Sequence, residues 1–339
     1  TRRSSDLKAF EKELSGTPIE ERIVEAYNID STYEICNKIC QEHRDPIINL
    51  TGGTKIMALG AFRAGIENDA QLIYADTINK RFLNLGNNKL DSDQELPKLK
   101  ISDFVLLAGA KITDDRTDFV RKEKKYLEPL SKILVKNHDL WQEHCLWFNG
   151  LRKKSLVNSS FSGPIKISQK GKVYYAQDLV LQALQDAKII NNLQSDNNEI
   201  SFSFDSQYIE NGFITMIGTP LELFTFYRCA RLPNIQDVSI GVTYKWDAED
   251  KKEKVRNELD ILVSSNSRLT YISCKSGKVE TSDLNELKTY SENLGGVFAN
   301  KIILGREPMF SNDEFLQRAE LMRIRALSIS ELEDDNFSL

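Results

Sequence analysis

The chain has 339 residues, 40% of them hydrophobic and 28% charged. That length exceeds the size at which one core stops growing, so two domains, or two and a connector, are expected, and the composition excludes disordered and collagen-like chains. A formal net charge of -5 excludes a global basic field, so a polyanion partner must be held by a local patch of Lys, Arg, backbone N–H groups or a bound divalent cation.

In chain order, the charged stretch Asp6 to Gly16 and a helical pattern over Ser31 to Glu42 flank a weak strand pattern, Ile23-Val24-Glu25-Ala26-Tyr27. A doubly wound sheet starts on a central strand. None is visible here, so the first strand and helix of this domain are expected to lie outside the given chain. Pro46 to Leu50 is an apolar run suited to a buried parallel strand, and Thr51-Gly-Gly-Thr54 is a turn. Lys55 to Glu67 places Ile56, Leu59, Ala61, Phe62 and Ile66 near helical spacing, and Gln71 to Ala75 supplies the next strand. Strand, glycine turn, helix and strand form one βαβ crossover.

From Arg121 to about Ser206 the pattern is that of a helical connector with a winged-helix flavour. Helices are expected over Tyr126 to Val135, His138 to Phe148 and Gln177 to Leu193, and Ser155 to Gly171 reads as a segment rich in Ser, Gly and Lys. Beyond it, Ile200, Phe202 and Phe204 form one strand face, Pro220 to Arg231 a helix, and Val238 to Trp246 a strand. Asp283 to Lys288, including Glu286, reads as a surface helix. Gly295-Gly296 is a turn, and Lys301 to Leu304 a final core strand. The expected domains are 1–118, 119–205 and 206–339.

The five cysteines, at 36, 40, 145, 229 and 274, are scattered and odd in number, which argues against disulfides and structural zinc. Cys36 and Cys40 read as a packed helix face. No apolar run reaches membrane-spanning length and no signal sequence opens the chain, so the expected compartment is reducing and cytoplasmic.

Arg256 to Val263 and Leu269 to Lys275 are two strands separated by turn residues. A Ser265 to Arg268 loop sets Asp260 opposite Ser273 and Glu258 opposite Lys275. Strand alternation then puts all four on one face, while Leu259, Ile261, Ile272 and Cys274 form the other, apolar face. Acids and a lysine converging on one face suit phosphodiester hydrolysis with Mg²⁺ or Mn²⁺. The acids hold the metal, which polarises the phosphate and acidifies a water, and the ammonium stabilises developing charge. The same pattern also suits an exposed sheet face with cross-strand ion pairs. Near the other end, Asn49 to Met57 places two glycines and two threonines between a strand and a helix N-terminus, a junction that binds anions or simply turns tightly. It is neither a Walker A loop nor GxGxxG.

Asp260, twelve residues, then Ser273-Cys274-Lys275 resembles the D…(D/E)xK signature of the PD-(D/E)xK nucleases, with Glu222 in Gly218-Thr-Pro-Leu-Glu222 as the helix acid of that pattern. Ser273 departs from it, standing where the family has Asp or Glu. A neutral hydroxyl is a weaker ligand, so the resemblance implies a metal shell of Glu222, Glu258, Asp260 and the Cys274 carbonyl.

Joined to this core, the Thr51-Gly52-Gly53-Thr54-Lys55 loop resembles the CARF sensor of CRISPR-associated ancillary nucleases. The implied fold is α/β, a Rossmann-like sensor and a restriction-endonuclease-like α/β/α nuclease joined by a helical connector. The resemblance implies loop contacts to a cyclic oligoadenylate, usually cyclic tetra-adenylate, with Asn49 and Met57 nearby. It also implies a homodimer whose nuclease halves act on single-stranded or nicked double-stranded nucleic acid in antiviral defence. A rival expectation is a ligand-sensing DNA-binding regulator with an inactive nuclease fold, suggested by Ser273 and the lysines between Lys166 and Lys172.

Overall fold

The computed structural model describes residues 17–76, 79, 81–86, 97–157, 159–196, 198–205, 207–208, 212–213, 215–246 and 257–339. The expectations for Asp6 to Gly16 and for an earlier strand lie outside these residues. The chain separates into two compact units: Thr1–Lys111 with Trp246–Glu253 and Ser264–Arg268, and Ile112–Lys245 with Lys254–Val263 and Leu269–Leu339.

In the first unit, α1 (Ile29–Glu42) begins at Asn28, whose side chain accepts from the Asp30 and Ser31 N–H groups and so satisfies two first-turn donors. Cys40 is buried and Cys36 half-buried on this helix. β1 (Ile47–Asn49), α2 (Lys55–Glu67) and β2 (Gln71–Asp76) form the expected βαβ unit, with Ile47 to Asn49 pairing in parallel with Gln71 to Ile73. β3 (Arg81–Asn84) adds antiparallel to β2, closing a three-stranded sheet. Leu72 and Ala64 are fully buried between helix and sheet, and a buried Leu contributes about 1.5–3 kcal/mol. Ile23 to Tyr27 is not a strand. Ile23 and Tyr27 are 94% and 86% exposed, so no burial rewards extension there. After α3 (Ile101–Leu107), β4 (Ala110–Asp114) joins the larger sheet.

In the second unit, α4 (Thr117–Lys122), α5 (Lys124–Lys136) and α6 (His138–Ser155) are followed by β5 (Leu156–Val157), β6 (Ser160–Pro164), β7 (Lys166–Gln169) and β8 (Lys172–Tyr175). β5, β6 and β7 occupy the Ser-, Gly- and Lys-rich stretch of the expected helical connector, and β8 follows it. α7 (Asp178–Asp186) is shorter than expected: Lys188 takes a left-handed φ of 56°, and β-branched Ile189 and Ile190 lead into β9 (Ile190–Asp196). β10 (Glu199–Phe204) buries Ile200, Phe202 and Phe204 on one face, as expected, in the sheet β5-β6-β10-β9. Phe161 stacks on Phe202 at 4.9 Å and lies 5.2 Å from Phe148 of α6.

The remaining elements are α8 (Thr219–Cys229), β11 (Ile235–Trp246), β12 (Asn257–Ser265), β13 (Arg268–Cys274), α9 (Thr281–Gly295), β14 (Asn300–Gly305), α10 (Asp313–Leu321), β15 (Arg325–Ser328) and α11 (Ile329–Glu333). They build the six-stranded sheet β15-β14-β13-β12-β11-β4, in which β13, β14 and β15 run parallel. One hydrophobic core runs from Val120 through Trp147, Leu184 and Phe226 to Ile272 and Phe337. The apolar faces of residues 119–205 therefore continue into the core beneath the six-stranded sheet.

Candidate functional site

The β12–β13 hairpin turns on two residues, Asn266 and Ser267, both left-handed at φ 51° and 57°. This is the geometry of a two-residue turn whose twist matches that of the strands. Pairing outward from Ser265 and Arg268 sets Asp260 opposite Ser273 and Glu258 opposite Lys275. Leu259, Ile261 and Ile272 are fully buried on the other face, which fixes that register energetically.

Asp260 Oδ2 accepts from the Cys274 N–H at 2.7 Å and from Ser273 Oγ at 3.3 Å. Burial, followed by the neighbouring Glu222 carboxylate, pushes its carboxyl up to about 7, against the opposing pull of the Cys274 N–H, Lys275 and Ser273. Glu222 is delivered by α8, whose first turn carries Pro220 and is buried throughout. Its Oε2 is ion-paired to Arg116 Nη2, and the same nitrogen lies 3.9 Å from Glu258 Oε1. Glu222 is buried, whereas the Glu258 side chain is 59% exposed. Glu222 and Asp260 thus share the pocket, and Glu258 reaches it from the rim through Arg116.

Lys275 Nζ lies 2.8 Å from Asp283 Oδ1. The other Asp283 oxygen accepts from Glu280 N at 2.7 Å, so this carboxylate ties the start of α9 to the lysine. Burial lowers the Lys275 pKa, but the Asp283 hydrogen bond and charge, then Asp260 and Glu286, outweigh it and the net shift is upward. Lys275 is held as a cation. Cys274 Sγ faces Thr225 Oγ1 at 3.6 Å, and burial pushes its thiol well above the ordinary range.

Arg116 has no motif around it in the sequence. Its backbone N–H donates to Ile240 O at 3.1 Å, and its side chain lies over Gly241 of β11. A Cβ at Gly241 would fall 2.2 Å from Arg116 Nε, and φ there is +61°, so glycine is required twice over. Tyr271 is also buried on the site face, and its hydroxyl is pushed well above its usual pKa, first by burial and then by Asp260. Its signal was the i, i+2 spacing to Ser273.

Among the described residues, no group of three or more His, Cys, Asp or Glu converges as a metal cage. What the pocket offers is two mutually repelling carboxylates, Asp260 and Glu222, beside the Ser273 hydroxyl and the Cys274 backbone. These hard oxygens fit a small divalent cation, which would offset the burial and then the Glu222 repulsion that raise Asp260.

In the first unit, Asn49 Oδ1 accepts from Thr51 N at 3.0 Å, and Thr51 Oγ1 accepts from Ala75 N at 2.7 Å. Thr54 caps α2, accepting from Met57 N at 3.2 Å, and donates to Ala26 O at 2.5 Å. Both threonine hydroxyls are therefore engaged in shaping the loop. Gly52, Gly53 (φ +85°) and Lys55 stand exposed at the N-terminus of α2, where backbone N–H groups and the helix dipole favour an anion.

Residues 8–104 match the family model described as the Card1 CARF domain, and residues 211–336 match the Card1-like endonuclease domain. The two matches span about two thirds of the chain and contain both clusters just described apart from Arg116, which lies between them. The chain belongs to the CARF-domain CRISPR ancillary nucleases.

Three solved structures share the fold. Can2 from Sulfobacillus thermosulfidooxidans, in complex with cyclic tetra-adenylate, is 21% identical over 95% of this chain and 84% of its own, with a TM-score of 0.61. Protein VC1899 from Vibrio cholerae is 18% identical over 98% of this chain and 86% of its own, with a TM-score of 0.76. A type III CRISPR defence DNA nuclease activated by cyclic oligoadenylate is 16% identical over 89% of this chain but only 39% of its own, with a TM-score of 0.54. No curated protein matches the chain in sequence. The Card1-like nuclease and CARF assignments accord with the α/β fold expected from the sequence. No helix among the described residues is long and apolar enough to cross a membrane.

Proposed function

We propose that this CARF-domain nuclease hydrolyses nucleic-acid phosphodiesters with Mg²⁺ or Mn²⁺, and that a cyclic oligoadenylate, cyclic tetra-adenylate in the first instance, activates it through the Thr51 to Lys55 loop. The observation that carries the reading is the convergence of Glu222, Asp260 and a cationic Lys275 at one pocket. Glu222 and Asp260 would hold the metal with the Ser273 hydroxyl and the Cys274 carbonyl, and Glu258 would complete the shell from the rim. A divalent cation there supplies charge to the scissile phosphate and acidifies water. Arg116 orients Glu222 through their ion pair. Lys275, fixed by Asp283, presents its ammonium to the charge that develops on the phosphate.

In this reading residues 1–118 sense the ligand, 119–205 connect and 206–339 cut, in a cytoplasmic homodimer. A two-fold ring suits an isologous interface and stabilises the state in which two nuclease halves meet on single-stranded or nicked double-stranded nucleic acid. That Can2 is described in complex with cyclic tetra-adenylate supports the choice of ligand. The test is purified protein with Mn²⁺, with and without cyclic tetra-adenylate, on single-stranded DNA, RNA and supercoiled plasmid. Ligand-dependent cleavage of any of these supports the reading, and cleavage of none sinks it. Ser273 favours a second reading, a ligand-controlled DNA-binding regulator. Binding of DNA without cleavage, both in this chain and in Lys275→Ala, would support that one.

A further inference from the structure

The stretch from His144 to Gln177 contains Arg152, Lys153, Lys154, Lys166, Lys170 and Lys172 and no Asp or Glu, although acids outnumber bases 50 to 45 in the whole chain. The fold gathers these charges. The β7–β8 ribbon turns on Lys170 and Gly171, both left-handed at φ 49° and 77°. It packs along α6 from Glu143 to Gly150. Tyr175 N donates to Glu143 Oε1 at 3.3 Å, and a Cβ at Gly150 would meet Ile167 Cδ1 at 2.4 Å. From Glu143 to Gly150 the helix runs from the open end of the ribbon toward its tip, so the Lys170 turn lies toward the same end as Lys153 and Lys154. All five lysines are exposed, and among the described residues none takes part in an ion pair.

The strand register adds a second feature. Lys166 pairs with Tyr175 and Ser168 with Val173, on the face opposite Ile167. Tyr175 is 45% exposed and Val173 49%, so an aromatic ring lies open beside a lysine. Lysines with an interleaved exposed aromatic suit a phosphate backbone with its bases or sugars. They do not suit a core contact.

The other end of α6 lies beside the catalytic strand. His138 hydrogen-bonds the backbone of Ser276, next to Lys275, and Asp139 pairs with Arg306 at 2.8 Å. An 18-residue helix spans roughly 27 Å. That matches about eight phosphates of a duplex strand at ~3.4 Å each.

We infer that the C-terminal turn of α6 and the β7–β8 ribbon form a nucleic-acid backbone-binding surface that holds the substrate about one α6 length from the catalytic lysine. The surface is independent of sequence, because lysines on an exposed ribbon read charge and not base edges. The inference rests on the nuclease reading for the word substrate, but not for the binding itself.

The experiment uses the full chain carrying Lys275→Ala, so that bound nucleic acid is not cut, and fluorescence anisotropy with a labelled 30-mer as duplex and as single strand. Lys153→Gln, Lys154→Gln, Lys170→Gln and Lys172→Gln are combined, and the control combines Lys122→Gln with Lys136→Gln. The fourfold variant is expected to bind at least about tenfold more weakly, with a duplex log Kd against log salt slope shallower by about 3–4, roughly one for each lysine lost. The control leaves both unchanged. All six positions are exposed, and a thermal melt checks that each variant folds. The inference is overturned if the fourfold variant matches its parent in affinity and slope, or if the parent binds neither probe at low salt. Cleavage by the chain without Lys275→Ala is assayed separately. Absent cleavage with lysine-dependent binding removes the nuclease reading alone, whereas cleavage with lysine-indifferent binding removes this inference alone.

Discussion

The Asp260 cluster and the Thr51 to Lys55 loop are built on opposite plans. In the pocket, side chains from distant parts of the chain converge: Arg116, Glu222, Asp260 and Lys275 come from four separate segments, and Arg116 pairs with Glu222 while Asp283 holds Lys275. In the loop, side chains serve the backbone, with Asn49, Thr51 and Thr54 all engaged in local hydrogen bonds, and the face left to a ligand is mainly peptide. A site made of converging charges is sensitive to every member. A site made of backbone is sensitive chiefly to whatever shapes the turn.

The sharpest way to break this contrast is Arg116→Met. It leaves Glu222 buried without its counter-charge, and losing one partner of a buried pair costs about 3–5 kcal/mol. Urea unfolding should show that loss, and an unchanged midpoint would mean that the pair does not organise the pocket. Next comes Lys275→Ala, expected to slow cleavage about 10²–10³-fold, as loss of one preorganised charge does, with nucleic-acid affinity retained. Cleavage surviving at more than a tenth of the original rate would take Lys275 out of the chemistry.

A third effect is pH-dependent. Asp260 is raised toward 7 in the folded, metal-free protein, so that state holds its proton more tightly than the unfolded chain does. The Asp260 contribution to stability therefore declines as pH rises from about 4 to about 7, with no further loss beyond. Asp260→Asn should flatten that decline and raise stability at pH 8 by at most about 4 kcal/mol, the worth of a shift of this size. Melting curves across pH without added metal read this, and an unaltered profile would place the repulsion elsewhere. The smallest effect is Thr54→Ala in the loop. Losing the cap should cost about 1 kcal/mol, and Thr54→Ser should restore it. If Thr54→Ala instead abolished ligand binding at unchanged stability, the hydroxyl would be a ligand contact and the contrast would fail.

The hairpin was legible in the sequence because period-two alternation forces acids and core residues onto opposite faces, and only one register keeps Glu258 and Asp260 out of the core. The βαβ unit was legible for a similar reason, since its apolar periods change at the glycine turn. Arg116 was not legible. It meets Glu222 across 106 residues, and its space depends on Gly241 on another strand, so no local spacing records the contact. The strands β5 to β8 were hidden by composition, because Ser and Gly read as linker until Phe161 and Ile167 find partners on α6. Ile23 to Tyr27 fails in the opposite sense: a pattern fit for a strand joins no sheet and leaves Ile23 and Tyr27 exposed.

The turn at Asn266 and Ser267 carries a consequence for how this nuclease tolerates length changes. Each residue inserted between Asp260 and the turn exchanges the two faces of the strand, so a single insertion would carry the acid into the apolar layer and Leu259 or Ile261 into the pocket. Two insertions would bring it back. The arm between acid and lysine thus obeys a matching rule: an odd step on one strand turns the acid to the wrong face, an even step restores the face but sets it two positions away from Ser273, and only equal steps on both strands keep the two opposite each other.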